Sequence, residues 1–189
     1  MTRYWTTHWR YIYWRPDAND EGRPIYSSGS NSYRKRGVSV NDKVYIVSLA
    51  EGQLYLGGRM TVKQIMSREE AIRSFRDSNL YDATEWIIDP DKSGTLLSLR
   101  RRLAPDLSRS LRFVSPRSAP KPLFFNPGTD HLYCQATRGV RELTPESAAA
   151  LDSIIEITDR LPRSNQIITV TKKHLQEGRN QTDLQPAGR

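Results

Sequence analysis

Aromatic and basic side chains alternate at the start of the chain, and together they can hold a nucleic-acid base. Six rings fall within eleven residues: Tyr4, Trp5, Trp9, Tyr11, Tyr13 and Trp14. Arg3, Arg10 and Arg15 are interleaved with them. Rings stack on bases and guanidinium groups bind phosphate, so this segment has the composition of a base-stacking surface. Every second residue from Trp5 to Tyr13 also follows the period of a strand, and for any single ring core packing is the simpler explanation.

A second polar group of residues ends the loop that spans 16–32. It comprises Ser30, Asn31 and Ser32, and Arg34, Lys35 and Arg36 follow almost directly. An asparagine amide both donates and accepts hydrogen bonds, as reading the edge of a base requires, but ordinary turn chemistry explains the same residues equally well. For the basic triplet, a solvated face is slightly favoured over phosphate contact.

The charge balance of the chain favours polyanionic partners. Its 189 residues include 29 Lys and Arg against 21 Asp and Glu, which gives a net charge of +8 and a pI near 9.8. Nucleic acid is therefore the first candidate partner, although an arginine-rich genome would produce the same composition. The excess charge belongs mainly to residues 1–66, which hold ten basic and five acidic side chains.

Motifs for the common enzyme classes are absent from the sequence. No lysine follows an acidic residue at the spacing of a restriction-type nuclease, and no HxE with paired cysteines indicates a deaminase. P-loop, dinucleotide-binding and GxSxG motifs are missing as well. We therefore expect a non-catalytic protein without a metal or cofactor, while an active site assembled from distant residues is invisible at this stage.

The remaining composition indicates a soluble cytoplasmic protein. No apolar run approaches the ~18 residues of a membrane span, and residues 1–14 lack the apolar stretch of a signal peptide. Cys134, the single cysteine, cannot form an internal disulfide and is explained most simply as a packed apolar side chain.

Local patterns predict alternating strands and short helices. Residues 38–49 and 53–65 are typical of a hairpin joined at 50–52, with a bulge at Gly57-Gly58. A capping box at Ser67–Glu70 predicts a helix to about Arg76, and Thr144-Pro145 predicts another over 146–157. Residues 84–89 are typical of a strand, and residues 96–107 of a short helix that carries Arg100, Arg101 and Arg102.

The order of these features resembles the PUA-like superfamily, and its EVE branch in particular. The shared features are the aromatic first strand with Tyr4-Trp5, the polar loop, the segment GVSVNDKVYI at 37–46 and the glycine-bearing strand with Gly57-Gly58. The family pattern is GVKxGDxVYFY. Asn41 replaces its glycine, and asparagine tolerates the positive φ that such a position requires. The resemblance covers roughly the first 65 residues, and residues 111–161 have no counterpart in it.

This resemblance implies an α+β fold: a small, mixed, partly open PUA-like β-barrel with flanking helices. Members of the family bind nucleic acid and are thought to accept a flipped modified base between the first strand and the following loop. The residues predicted to form the base pocket are Trp5, Thr6, Trp9, Trp14, Ser30, Asn31 and Ser32. Those predicted to bind phosphate are Arg10, Arg34, Lys35 and Arg36.

The sequence therefore predicts a non-catalytic reader of a modified base, with DNA favoured over RNA and no membrane partner. Relatives of this kind are often fused to nucleases in modification-dependent restriction, so a separate nuclease or effector chain is the expected partner. Two alternatives stay open: an RNA-binding protein of translation or RNA modification, and an enzyme acting on a nucleotide or small ligand in the same cavity.

A single domain is expected over residues 1–161, with helical elaboration towards its C-terminal end. Residues 162–176 are expected to form a short extension, and residues 177–189, which have almost no apolar side chains, a disordered tail.

Overall fold

The fold is a mixed α+β structure with two sheets, which confirms the predicted class. The computed structural model describes residues 1–10, 22–75, 80–161 and 167–176. Its strands are β1 (Tyr4–His8), β2 (Ser27–Ser30), β3 (Lys43–Ala50), β4 (Gln53–Thr61), β5 (Gln64–Ser67), β6 (Glu85–Ile88), β7 (Arg101–Leu103), β8 (Val140–Leu143) and β9 (Ile168–Val170). Its helices are α1 (Tyr33–Arg36), α2 (Arg68–Phe75), α3 (Pro105–Ser110) and α4 (Pro145–Asp159), and a helical turn follows at 172–176. The predicted tail at 177–189 lies outside the described residues.

The larger sheet has six strands in the order β8-β1-β3-β4-β7-β9, and the smaller has three in the order β2-β6-β5. β1 pairs in parallel with β3 and antiparallel with β8, so the aromatic first strand is internal. Both sheets are open within the described ranges, and the barrel stays a prediction. None of the described helices is long and apolar enough to cross a membrane.

β3 is buried on both faces and separates two apolar cores. Tyr45 and Val47 pack into the core under α4, whereas Val44 and Ile46 pack into the core on the other face with Trp5. This follows from the alternation of side chains along a strand, which sends consecutive residues to opposite faces. A continuous apolar strand is therefore suited to the middle of a covered sheet.

The predicted hairpin and its bulge are confirmed. β3 and β4 are antiparallel around a two-residue turn in which Glu51 and Gly52 have φ of 50° and 72°. The register shifts between Ile46 and Val47 because Gly57 is the extra residue on β4. A Cβ on Gly58 would lie 2.5 Å from Thr95 Oγ1, so the close approach requires glycine here.

The two helices predicted from capping signals are confirmed. Ser67 and Glu70 exchange hydrogen bonds at the start of α2, and the side chain of Thr144 accepts from the Ser147 amide at the start of α4. In both cases neighbouring residues supply the partners for the unpaired amides of the first turn, which is why sequence identifies these ends well.

The predicted helix over 96–107 is wrong. Residues 99–100 form a turn, residues 101–103 form β7, and a helix begins only with α3 at Pro105. Alternate side chains before α3 are buried: Leu97, Leu99, Arg101 and Leu103. Arg101 is buried because its guanidinium group donates to Gly57 O and Thr158 Oγ1, both at 2.7 Å, and pairs with Asp159. The partners of Arg101 lie on other elements of the fold. The sequence alone therefore did not indicate that Arg101 is buried, or that side chains of this segment alternate between buried and more exposed positions.

A buried carboxylate joins the start of β1 to the turn before β3. Asp42 Oδ1 accepts from the Arg3 amide at 3.0 Å, and Oδ2 accepts from Trp5 Nε1 at 2.8 Å and from the Ser39 amide at 2.9 Å. Asn41 has φ of 71°, as its substitution for glycine predicted, and this conformation turns the chain towards Asp42. The Arg3 side chain also donates to Gly37 O, which ties the end of α1 to the same turn.

We expect Asp42→Asn to lower the free energy of unfolding by about 1 to 3 kcal/mol, because an amide cannot accept at both positions and a buried donor loses its acceptor. Urea denaturation measures the effect. Asp91→Asn is the matched control, since it removes the same charge from an exposed loop residue. Equal stability of the Asp42 and Asp91 variants would contradict the role assigned to Asp42.

Candidate functional site

The candidate site lies where β1 ends at the surface. β1 runs between β3 and β8 as far as His8, and the Trp9 amide extends the pairing by donating to Val47 O at 2.9 Å. α1 lies beside β8 and β6. The end of β1, the short helix and the start of β8 therefore form one contiguous surface.

Buried hydroxyl groups support this surface from below. The Tyr33 hydroxyl lies 2.9 Å from Ser28 Oγ and 3.2 Å from Thr7 Oγ1, and Trp9 Nε1 donates to Ser28 Oγ at 3.0 Å. Burial raises the pKa of Tyr33 well above its ordinary value of 10.0, so the hydroxyl stays protonated. The network fixes the Trp9 ring at the edge of the core, half-buried.

Trp5 and Thr6 were predicted to line the base pocket, but both side chains are buried. Their exposures are 2% and 3%, and Trp5 packs in the core with its indole N–H bonded to Asp42. Thr6 Oγ1 lies 3.4 Å from Arg141 O on the neighbouring strand. The sequence reasoning did not separate these residues from Trp9 because core and surface aromatics share one strand pattern. Trp14 lies outside the described residues.

Ser30, Asn31 and Ser32 lie together at the end of β2. Ser30 Oγ is 3.3 Å from Ser32 Oγ, and Ser30 is on the same strand face as Ser28, which holds Trp9. Asn31 is exposed, and its Oδ1 accepts from the Thr84 amide at 2.8 Å. The side-chain amide of Asn31 is thereby oriented, and its N–H groups remain available to a ligand.

The basic triplet diverges because α1 is a single turn. Arg34 turns towards the smaller sheet, where its guanidinium group donates to Ile65 O at 3.1 Å and its amide donates to a Glu85 oxygen at 2.9 Å. Lys35 is exposed. Arg36 faces β8, where its charge acts on Arg141. Gly37, with φ of 85°, ends the helix immediately afterwards.

Four arginines make this surface strongly positive: Arg10, Arg36, Arg138 and Arg141, named here the basic surface. Desolvation and then the charges of Arg10 and Arg138 lower the pKa of His8 from 6.5. Desolvation and then the charge of Arg36 lower the pKa of Arg141 from 12.5. Both shifts have the sign of repulsion between like charges, which an anion would relieve.

The arginines of the basic surface differ from Arg59 and Arg109 because no carboxylate of the described residues compensates their charges. Among the described residues, none of their four guanidinium groups forms an ion pair with a carboxylate. Arg59 pairs with Asp152 at 2.5 Å, and Arg109 pairs with Asp130 at 2.6 Å. Arg59 and Arg109 thus have acidic partners, whereas the four arginines of the basic surface have none among the described residues.

Arg138 and Arg141 were missed by the sequence reasoning. They belong to the C-terminal half of the chain, and only the antiparallel pairing of β8 with β1, which places Arg141 opposite Thr6, brings them to the site. Arg141 also stacks on Phe113, with its Cζ 3.9 Å from the ring centroid, and donates to Ala136 O.

The structure also bears on small-molecule chemistry. A cleft of about 380 Å³ lies at the start of α4, between 110–112 and 144–150. Its helix end is already capped by Thr144. Within the described ranges, no group of three or more His, Cys, Asp and Glu side chains is arranged to hold a metal ion.

The prediction that Cys134 packs as an apolar side chain is wrong, because Cys134 is exposed.

Comparison with protein-family models, with curated proteins and with solved structures found no match to this chain.

We expect the pKa of His8 to lie below 6.5 in the folded protein and to rise in Arg138→Ala, where one repelling charge is removed. NMR titration of the ring protons measures both values. Arg160→Ala is the control, because Arg160 is an exposed arginine near β7, at the other side of the larger sheet. A His8 pKa unchanged by Arg138→Ala would contradict the proximity of the two groups.

The same shift makes stability depend on pH. Because folding lowers the pKa of His8, the unfolded chain binds the proton more readily than the folded protein does. The contribution of neutral His8 to the free energy of unfolding is therefore fully present above pH ~6.5 and is lost as the pH falls through the pKa of the folded state. Denaturant midpoints measured from pH 7.5 to 5 should fall less steeply in His8→Gln than in the wild type. Identical slopes would show that His8 is not perturbed by folding.

Proposed function

We propose that this protein binds nucleic acid through the basic surface. The observation that carries the proposal is the set of four arginines without acidic partners among the described residues, two of which, Arg10 and Arg138, also oppose the protonation of His8. Close, uncompensated positive charge is costly in the free protein, and a phosphate backbone removes that cost. Arginine suits the role because its planar group binds phosphate oxygens in pairs.

We further propose that the bound strand presents a modified base to the end of β1. Trp9 is held half-buried as a stacking wall, and Ser30, Asn31 and Ser32 supply polar groups beside it. A base recognised in this way must leave its stack, as in proteins that bind flipped bases. This is the function that the resemblance to PUA-like, EVE-type barrels implies. DNA is favoured, with a separate effector chain to act on the marked site.

Binding titrations at several salt concentrations test the role of the basic surface. We expect Arg36→Ala/Arg138→Ala to weaken binding to every sequence and to reduce the salt dependence on duplex DNA, by about 0.9 in the log–log slope for each phosphate that the variant no longer neutralises. Arg160→Ala should change neither quantity. Equally weakened binding in the two variants would mean that net charge alone, and not this surface, drives binding.

A second titration tests base reading. Matched oligonucleotides carrying cytosine, 5-methylcytosine, 5-hydroxymethylcytosine or N6-methyladenine, as DNA and as RNA, should differ by tenfold or more for one modification, or about 1.4 kcal/mol. Asn31→Ala should reduce that preference while leaving affinity for the unmodified strand unchanged, because Asn31 belongs to the loop and not to the basic surface. Preference for RNA without a modification would favour the RNA-binding alternative, and turnover of a free nucleotide would favour the enzyme.

A further inference from the structure

Two exposed aromatic residues occupy opposed backbone positions on the segment that has no counterpart in the PUA-like resemblance. Phe124 and Tyr133 are 60% and 51% exposed. Phe125 and Leu132 form an antiparallel bridge, and the Tyr133 amide donates to Phe124 O at 2.9 Å, which places Phe124 and Tyr133 opposite each other. Directly opposed residues have Cβ atoms ~5 Å apart on the same face. We name Phe124 and Tyr133 the aromatic platform.

The backbone that carries the platform is anchored to the core although its rings are solvated. Leu123 and Leu132 are buried in the core beneath it, and the Leu132 amide donates to Gly52 O at 2.8 Å, which anchors the segment to the β3–β4 turn. Arg109 Cζ lies 4.3 Å from the centroid of the Phe125 ring, on the inward side of the bridge. Anchoring of the backbone lowers the entropy cost of binding a flat partner, because the segment that carries the rings is already ordered.

The platform is continuous with the basic surface. The Ala136 amide donates to Tyr133 O at 2.8 Å, and Ala136 O accepts from the Arg141 guanidinium group, so one residue connects the two. A second turn, in which the Arg138 amide donates to Gln135 O at 3.1 Å, follows directly. Five residues span at most ~17 Å, so a strand crossing from Arg138 to Tyr133 covers no more than about five nucleotides.

We propose that the aromatic platform stacks unpaired bases of the strand bound by the basic surface, so that the ligand is single-stranded or locally opened nucleic acid. This inference rests on the nucleic-acid-binding function proposed above. Bases inside a duplex are stacked on each other and cannot reach rings on a protein surface, whereas splayed bases stack on aromatic side chains irrespective of sequence. Adjacent cationic and aromatic groups are the combination that single-strand binding requires.

The test compares single-stranded and duplex forms of one 12-nucleotide sequence, by fluorescence anisotropy at near-physiological salt. We expect the wild type to bind the single strand at least tenfold more tightly. Phe124→Ala/Tyr133→Ala should weaken single-strand binding roughly 5- to 100-fold, the range for removal of a stacked base, and should leave duplex binding and the salt dependence unchanged. Phe124→Trp/Tyr133→Trp should restore tight binding, because indole rings stack equally well.

Val40→Ala is the control, since Val40 is an apolar residue of similar exposure, 52%, in a different loop. The platform variants remove exposed side chains, and thermal unfolding verifies that they fold. Unchanged single-strand affinity in Phe124→Ala/Tyr133→Ala, with much weaker affinity in Arg36→Ala/Arg138→Ala, would overturn this inference and leave the proposed function intact. A wild type that binds neither form would overturn both.

A second copy of the chain could cover the aromatic platform in place of nucleic acid. Sedimentation equilibrium tests this alternative. Reversible dimers of the wild type that become monomers in Phe124→Ala/Tyr133→Ala would overturn the proposal.

A dye attached to Cys134, the single cysteine, exposed and adjacent to Tyr133, measures where the strand lies. We expect quenching by an oligonucleotide with a quencher at one end and much less with the quencher at the other, and equal effects of both would contradict a defined path.

Discussion

The candidate site depends on the buried Asp42 carboxylate. It accepts hydrogen bonds from the backbone of Arg3, the indole of Trp5 and the backbone of Ser39, and so fixes the start of β1 against the turn between α1 and β3. β1 then runs in parallel with β3 and ends at Trp9, beside the helix that the same turn terminates. A displaced Asp42 would therefore move both the strand and the helix that carry the site.

Arg101 and the arginines of the basic surface differ in whether a described carboxylate compensates their charge. Arg101 is buried and joins β7 to β4 and to the end of α4, where its charge is matched by Asp159. Arg36, Arg138 and Arg141 converge on one surface and form no ion pair with a carboxylate among the described residues. Repulsion of this kind persists in a folded protein at a cost to stability, and binding of an anion removes it.

Features governed by neighbours in the sequence could be predicted, and features governed by distant contacts could not. The positive φ of Asn41 and the capping box at Ser67–Glu70 were predictable because the required partners lie within four residues. The burial of Arg101 was not, and Trp5 could not be distinguished from the neighbouring rings, since each is decided by a partner tens of residues away. The same holds for the candidate site: Trp9 and Arg36 could be proposed from the sequence, whereas Arg141 reaches it only through strand pairing.

The most direct measurement of the central claim is an NMR titration of the ¹⁵N-labelled protein with a short methylated single strand. We predict the largest shifts at the Trp9 indole, the His8 ring and the backbone amides of 34–37 and 138–141, with smaller shifts at the far side of the larger sheet. Those signals surround the basic surface and its stacking wall. Shifts confined to α4 and β9, or no shifts at saturating oligonucleotide, would contradict the account.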